Sequence, residues 1–210
     1  MKTLFIYLLL ISNIAFMCKN DSVTTTLKKT DTNTSAKTEN TTSSNQKSQQ
    51  KSCNYDALFS GENDIFLSFD EIAKATGLPV SAISKGDTEN FNKHYFYTIK
   101  LPNGEEMQFD YYISKMSKED VNREIKNYLK LKKRGENKIT GTDIEISKTG
   151  DCYLTHQKKT GRLMVMNPNY DNILLSSWAR LAIKMNNEQK EIRIEQARKI
   201  LNYLIEKYRK

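Results

Sequence analysis

Three cysteines, two histidines and a cluster of tyrosines are the side chains through which this sequence could do chemistry. His94 and His156 are the only histidines, and neither lies in an HExxH pattern. No Cys or carboxylate group has metal-ligand spacing, and there is no GxSxG nucleophile elbow and no Gly-rich phosphate loop. Asp110, Glu119 and Asp120 have the chemistry of general acids and bases, but strand alternation and a helix N-terminus account for their positions. Both histidines read as surface or strand-end residues, and Trp178 reads as core. Tyr95, Tyr97, Tyr111 and Tyr112 form the best binding candidate, because tyrosines give a contact surface an apolar body and a polar tip. Packing in the core and on the sheet face is the competing use. The residues therefore predict no catalytic site, no metal and no cofactor.

Cys18 has a different setting. Lys2 is followed by a nearly unbroken apolar run from Leu4 to Met17, interrupted by Ser12 and Asn13. A run this short reads as a secretory h-region more readily than as a transmembrane helix. Ile14-Ala15-Phe16-Met17-Cys18 resembles the lipobox of bacterial lipoproteins, although Met17 replaces the usual small residue. The resemblance implies cleavage before Cys18, acylation of its thiol and a membrane anchor at the plasma or outer membrane. The alternatives are an ordinary signal peptide cut elsewhere and an uncleaved anchor. Residues 18–51 then read as a disordered polar tether. Beyond Cys18 this stretch has no aromatic residue and only Val23, Leu27 and Ala36 as apolar side chains, too little to offset the entropy of ordering. As a coil it would span roughly 30 Å, and at full stretch about 110 Å.

Residues 52–210 suit a single domain with its own core. The chain is basic, with a net charge of +8, and part of the excess lies in the tether. The densest run, Lys130 to Arg134, falls at the end of an expected helix, where cations complement the helix dipole. An attraction to an anionic surface is the other reading of that run. With Cys18 acylated, Cys53 and Cys152 remain as a pair in an oxidising compartment. They are expected to form a disulfide that ties the start of the domain to a strand in its middle, read as running from Cys152 to His156. Two separate buried thiols are the alternative.

The elements that position these residues follow from periodicity. Ile65 to Leu67 reads as a strand-like piece leading into a helix, with Ser68 and Glu71 in capping-box positions and Gly77 as the stop. Lys93 to Ile113 reads as a β-hairpin about Pro102-Asn103-Gly104. Ser117 to Lys133 is an amphipathic helix. Short strands follow between Thr142 and Met166, with turns at Lys148 to Asp151 and Lys158 to Gly161. Ile173 to Ile183 reads as a further strand, with helix open for its second half. Asn187 to Tyr208 is the clearest helix, with Ile194, Ala197, Leu201, Leu204 and Tyr208 stepping by three and four. Packing on the sheet is its expected role, and a coiled-coil partner is the alternative.

Two resemblances bear on function. Ser68 to Ser84 (SFDEIAKATGLPVSAIS) looks like the helix-turn-helix of bacterial regulators. Against nucleic-acid binding stand the export signal and Gly86-Asp87, which would break the second helix after about two turns. Cys53, the pair Leu58 and Phe59, and LSFDEIAKATG are similar to the opening of small exported bacterial lipoproteins with a PsbP-like α/β fold. The stretch from Ala197 to Lys207 is similar to their closing helix. The resemblance covers the element order from Cys53 to Lys210 and implies a fold and an export route but no defined activity. The expected architecture is α+β, an antiparallel sheet flanked by helices. The expected role is a lipid-anchored, non-enzymatic interaction domain whose partner is an envelope protein or surface ligand. An envelope enzyme with no sequence-visible site is the alternative.

Overall fold

The computed structural model describes residues 53–210. The stretches read as signal peptide and tether, with Cys18, lie outside the described residues. Residues of period two on either side of Pro102-Asn103-Gly104 form the central hairpin. Its strands are β2 (Tyr95–Lys100) and β3 (Glu106–Ser114), with Tyr97 opposite Phe109. The remaining strands are β1 (Ile83–Lys85), β4 (Thr142–Ile146), β5 (Tyr153–Gln157), β6 (Arg162–Met166) and β7 (Ile173–Ser177). All pair antiparallel in one seven-stranded sheet of order β1-β2-β3-β7-β6-β5-β4.

Helices cover the two faces unequally. The inner face carries α1 (Asp56–Phe59), α2 (Phe69–Thr76) and α5 (Asn187–Tyr208). The apolar stripe of α5, Ile194, Ala197, Ile200, Leu201, Leu204 and Ile205, is buried in one core with Leu154, Leu163, Val165 and Leu174 of the sheet. Sheet packing thus takes up the face that a coiled-coil partner would use. The helix starts are set locally. Ser68 and Glu71 form a capping box at α2, and Asn186 and Gln189 form another at α5. On the outer face α3 (Lys118–Lys133) packs Val121 and Ile125 against Met166 and Ile173, over the half of the sheet away from the hairpin. A short helix, α4 (Asn137–Thr140), precedes β4.

Arg193 fastens the hairpin turn to α5. Its guanidinium is buried and donates to Glu105 Oε2 (2.8 Å) and to the Glu106 carbonyl (3.1 Å), while Gln189 Nε2 donates to Glu105 Oε1 (2.6 Å). The amide of Gln189, and after it the Arg193 guanidinium, hold the Glu105 carboxyl below the usual carboxylate range.

Four sequence readings are corrected. Ile65 to Leu67 is extended but belongs to no strand, because it crosses the inner face without a ladder partner. Its backbone is satisfied instead by phenols: Tyr111 Oη accepts from Leu67 N (3.0 Å) and donates to Ile65 O (2.9 Å), and Tyr97 Oη donates to Leu67 O (2.9 Å). The second helix of the helix-turn-helix resemblance is absent: a 3-10 turn, Val80–Ala82, passes directly into β1. The strand expected to Ile183 ends at Ser177, where Trp178 N donates to Gly161 O (2.8 Å) and a 3-10 turn, Ala182–Lys184, follows. Cys152 stands immediately before β5 rather than within it.

Candidate functional site

Three of the four tyrosines read as a binding surface are in the core. Alternation turns Tyr95, Tyr97 and Tyr111 inward, where they are 5 %, 1 % and 0 % exposed. Their rings pack together, with Tyr97 stacked on Tyr111 at 6.0 Å. Burial raises the Tyr97 phenol to about 12, so it stays protonated and can donate to the Leu67 carbonyl. These three side chains are therefore structural. The signal for this was the inward phase they share with Ile99, Met107 and Phe109. What sequence could not show was the strandless segment awaiting the hydroxyls of Tyr97 and Tyr111, with Asp64 just before it accepting from Tyr95 Oη (2.7 Å).

The same alternation sends Phe96, Thr98, Gln108, Asp110 and Tyr112 outward, all of them partly exposed. Among the described residues no helix covers these positions, since the apolar contacts of α3 lie toward the other edge. At the head of β2, Phe91 and His94 pair as an isolated bridge across Asn92 and Lys93, both of positive φ (46° and 60°). This is the geometry of a two-residue type I′ turn. The unusual φ of Lys93 is held by its own ammonium, which donates to the carbonyls of Gly61 (3.0 Å) and Glu62. The turn was not foreseen because the Gly that usually marks it is missing.

The bridge builds an aromatic site around His94. Its ring centroid lies 4.0 Å from that of Phe96 and 4.4 Å from that of Tyr112, and Phe91 stacks on Phe96 at 5.8 Å. His94 Nε2 lies 3.2 Å from Asp110 Oδ1. With the proton on Nε2 the imidazole donates to the carboxylate, and Nδ1 is left as an acceptor. Gly86 closes the site from the side. A Cβ there would meet the Phe96 backbone and side chain at 2.8 Å, so only Gly permits this approach. Ser177 stands opposite Asp110 and Arg162 opposite Ser177, extending the outward row across β7 and β6. The result is an aromatic floor with a His–Asp pair and neighbouring hydroxyl and guanidinium groups. It can stack on an apolar or planar group and hydrogen-bond its polar edge.

His156 lies elsewhere, at the end of β5 on the inner face. It lines a cavity of about 290 Å³ with Asn137, Lys138, Thr142, Asp143 and Lys158. Burial lowers its pKa, opposed by Glu145 and Asp143 and assisted by Arg198 and Lys158. Its Nδ1 is buried and has no hydrogen-bond partner. A base whose folded pKa is depressed binds fewer protons than in the unfolded chain, so stability falls as pH drops below about 6.5. His156→Gln is expected to flatten that part of the curve in urea melts between pH 5 and 7, as followed by circular dichroism. An unchanged slope would show that other groups govern it.

The described residues hold no group of three or more His, Cys, Asp or Glu side chains disposed to bind a metal ion. No disulfide joins Cys53 to Cys152 in this structure. Both nonetheless sit at one junction. Cys53 Sγ accepts from Arg209 Nε (3.1 Å), Arg209 Nε lies 3.5 Å from Asp151 Oδ2, and Cys152 Sγ accepts from Asn167 Nδ2 (3.5 Å). Burial pushes the Cys152 thiol up to about 12. In reduced, folded protein Cys152 should resist iodoacetamide at pH 8 and react after denaturation. Rapid alkylation without denaturant would show that the site opens.

Comparison with family models, curated proteins and solved structures finds no match.

Proposed function

We propose that this chain is an exported protein anchored to a membrane through acylated Cys18, and that residues 53–210 act as a non-enzymatic binding module of the cell envelope. The observation that carries the binding role is the unequal cover of the sheet. The outer face is packed under α3 over one half, while the other half presents Phe91, Phe96, His94 and Tyr112. Phe91 is 54 % exposed, although its ring already stacks on Phe96. An aromatic surface of this kind, flanked by hydrogen-bonding groups, suits a protein partner, because aromatic anchors dominate binding energy at such contacts. The anchor is supported by the apolar run ending at Cys18, and the described residues contain no helix long and apolar enough to cross a membrane. Export would also place Cys53 and Cys152 where oxidation by a thiol–disulfide oxidoreductase can join them. Non-reducing peptide mapping of exported protein tests that bond.

Two measurements test the whole reading. Cys18→Ala should move the protein from the membrane fraction to the soluble fraction or leave it uncleaved; wild-type Cys18 recovered without lipid would refute the anchor. Phe91→Asp should leave the melting curve almost unchanged, since the side chain is mostly in water. It should abolish cross-linking to the species that wild type captures in its own envelope. Equal capture by both proteins would remove the aromatic face from the proposal.

A further inference from the structure

The fold gathers at one end of the sheet several basic segments that the sequence scatters. Thr142, Gln157, Arg162 and Ser177 stand in one cross-strand row near that end. The last turn of α3 is drawn to it by Lys132 Nζ, which donates to Ile144 O (2.6 Å) and pairs with Asp143 (3.0 Å). The turn before β6 is joined to α4 and its C-cap, Lys159 Nζ donating to Ile139 O (3.0 Å) and Lys158 N to Gly141 O (2.8 Å). Residues after β7 are tied to the same turn through Trp178 N and Gly161 O (2.8 Å).

Residues 130–140, 157–162 and 178–184 carry ten Lys or Arg side chains and one carboxylate, Glu136. Glu136, Asp143 and Glu191 pair with Arg134, Lys132 and Lys158. Lys130, Lys133, Lys138, Lys159, Arg162, Arg180 and Lys184 are exposed and form no ion pair with a described carboxylate. Among these cations three aliphatic side chains stand out into solvent: Ile139 (78 % exposed), Leu181 (56 %) and Ile183 (78 %). Leu181 and Ile183 alternate with buried Ala182 and are bracketed by Arg180 and Lys184. Packing does not require them there, because Ala182 supplies the inward contact.

We infer that this end of the domain docks on an anionic lipid surface. Ile139, Leu181 and Ile183 enter the boundary between headgroups and acyl chains, and the surrounding cations rest on lipid phosphates. Cations alone would serve an acidic polymer equally well. The exposed aliphatic groups favour lipid, since they gain only from a medium that excludes water. The described chain begins at the opposite end. Asn54 and Lys210 exchange backbone hydrogen bonds, and Tyr55 Oη donates to Asp151 in the turn between β4 and β5 (2.6 Å). That turn is one length of β4 away, roughly 16 Å. The docking end therefore lies apart from residue 53, and it rests on cations and aliphatic side chains rather than on the aromatic rings, although Arg162 borders both.

The test uses the chain from residue 18 to Lys210 carrying Cys18→Ala, so that neither an acyl group nor the apolar run before it contributes, with Ile183→Trp as a local probe. Vesicles of phosphatidylcholine with 30 % phosphatidylglycerol are compared with pure phosphatidylcholine, each containing brominated acyl chains. Trp178 is buried and gives a constant background. Quenching at position 183 is expected on the anionic vesicles only, and it should weaken as salt rises. A probe at the far end, Lys148→Trp, should not be quenched. In the Ile183→Trp protein, the added change Leu181→Asp should raise the lipid concentration for half-maximal quenching about tenfold or more. Absence of quenching at 183, equal quenching on both vesicle types, or equal quenching at 148 would overturn the inference. So would tight binding to soluble polyphosphate that displaces the protein from vesicles and is indifferent to Leu181→Asp.

Discussion

Gly161→Ala is expected to destabilise the domain by about 3 kcal/mol or more. Gly161 has φ +72°, where a Cβ costs roughly 1–2 kcal/mol. The greater part comes from crowding. A Cβ at Gly161 would lie 2.4 Å from the Ala179 carbonyl oxygen, a backbone atom with little freedom to move. Retreat of the turn is opposed by the bond from Trp178 N to Gly161 O, beside a fully buried Trp. Gly150→Ala is the matched control: its φ is +85°, but nothing lies within 4 Å of the added atom. It should cost about 1 kcal/mol, the conformational part alone. Urea melts of the two variants make the comparison, read as a shift in midpoint at constant slope. If Gly161→Ala costs no more than Gly150→Ala, the close approach of the two turns is wrong.

Tyr111→Phe should cost about 2–3 kcal/mol although it removes one oxygen atom. The hydroxyl accepts from Leu67 N and donates to Ile65 O inside the core, and the ring is 0 % exposed. Removing it strands a backbone donor and a backbone acceptor away from water. Tyr97 Oη replaces it poorly at Leu67 N, from which it lies 3.4 Å, near the limit of a useful bond. Tyr112→Phe, on the outer face, should change stability by less than about 0.5 kcal/mol. Amide exchange sharpens the test, because protection of Leu67 should fall in Tyr111→Phe before that of the sheet does. Equal stability of the two variants would return Tyr111 to the role of a contact residue and remove its structural one.

Local rules made much of the fold legible. The capping box of Ser68 and Glu71, the turn at Pro102-Asn103-Gly104 and the stripe from Ile194 to Tyr208 lie within a few residues of the structure they specify. Strand β5 lies between the two turns expected at Lys148 to Asp151 and Lys158 to Gly161, and β6 follows directly on the second. The failures have a common origin. Ile65 to Leu67 has the composition of a strand, but whether an extended segment joins a sheet depends on a free edge, and here β1 and β4 form the edges. Ile173 to Ile183 is apolar throughout, and its strand stops where Trp178 turns onto the backbone of Gly161, distant in sequence.

The candidate sites divide in the same way. Sequence by itself determined the apolar run ending at Cys18, the polar stretch after it, and the phase that separates Tyr111 from Tyr112, because each is a matter of composition or period two. Only tertiary structure decided that Tyr97 and Tyr111 serve the backbone of residues 65–67 while Tyr95 donates to the Asp64 carboxylate, that His94 meets Asp110 among Phe91, Phe96 and Tyr112, and that the Lys130 to Arg134 run joins Ile139, Leu181 and Ile183 at one end. These are contacts between segments far apart in the chain. Strand order and helix placement fix them, and both are set by burial of the whole core rather than by local residues.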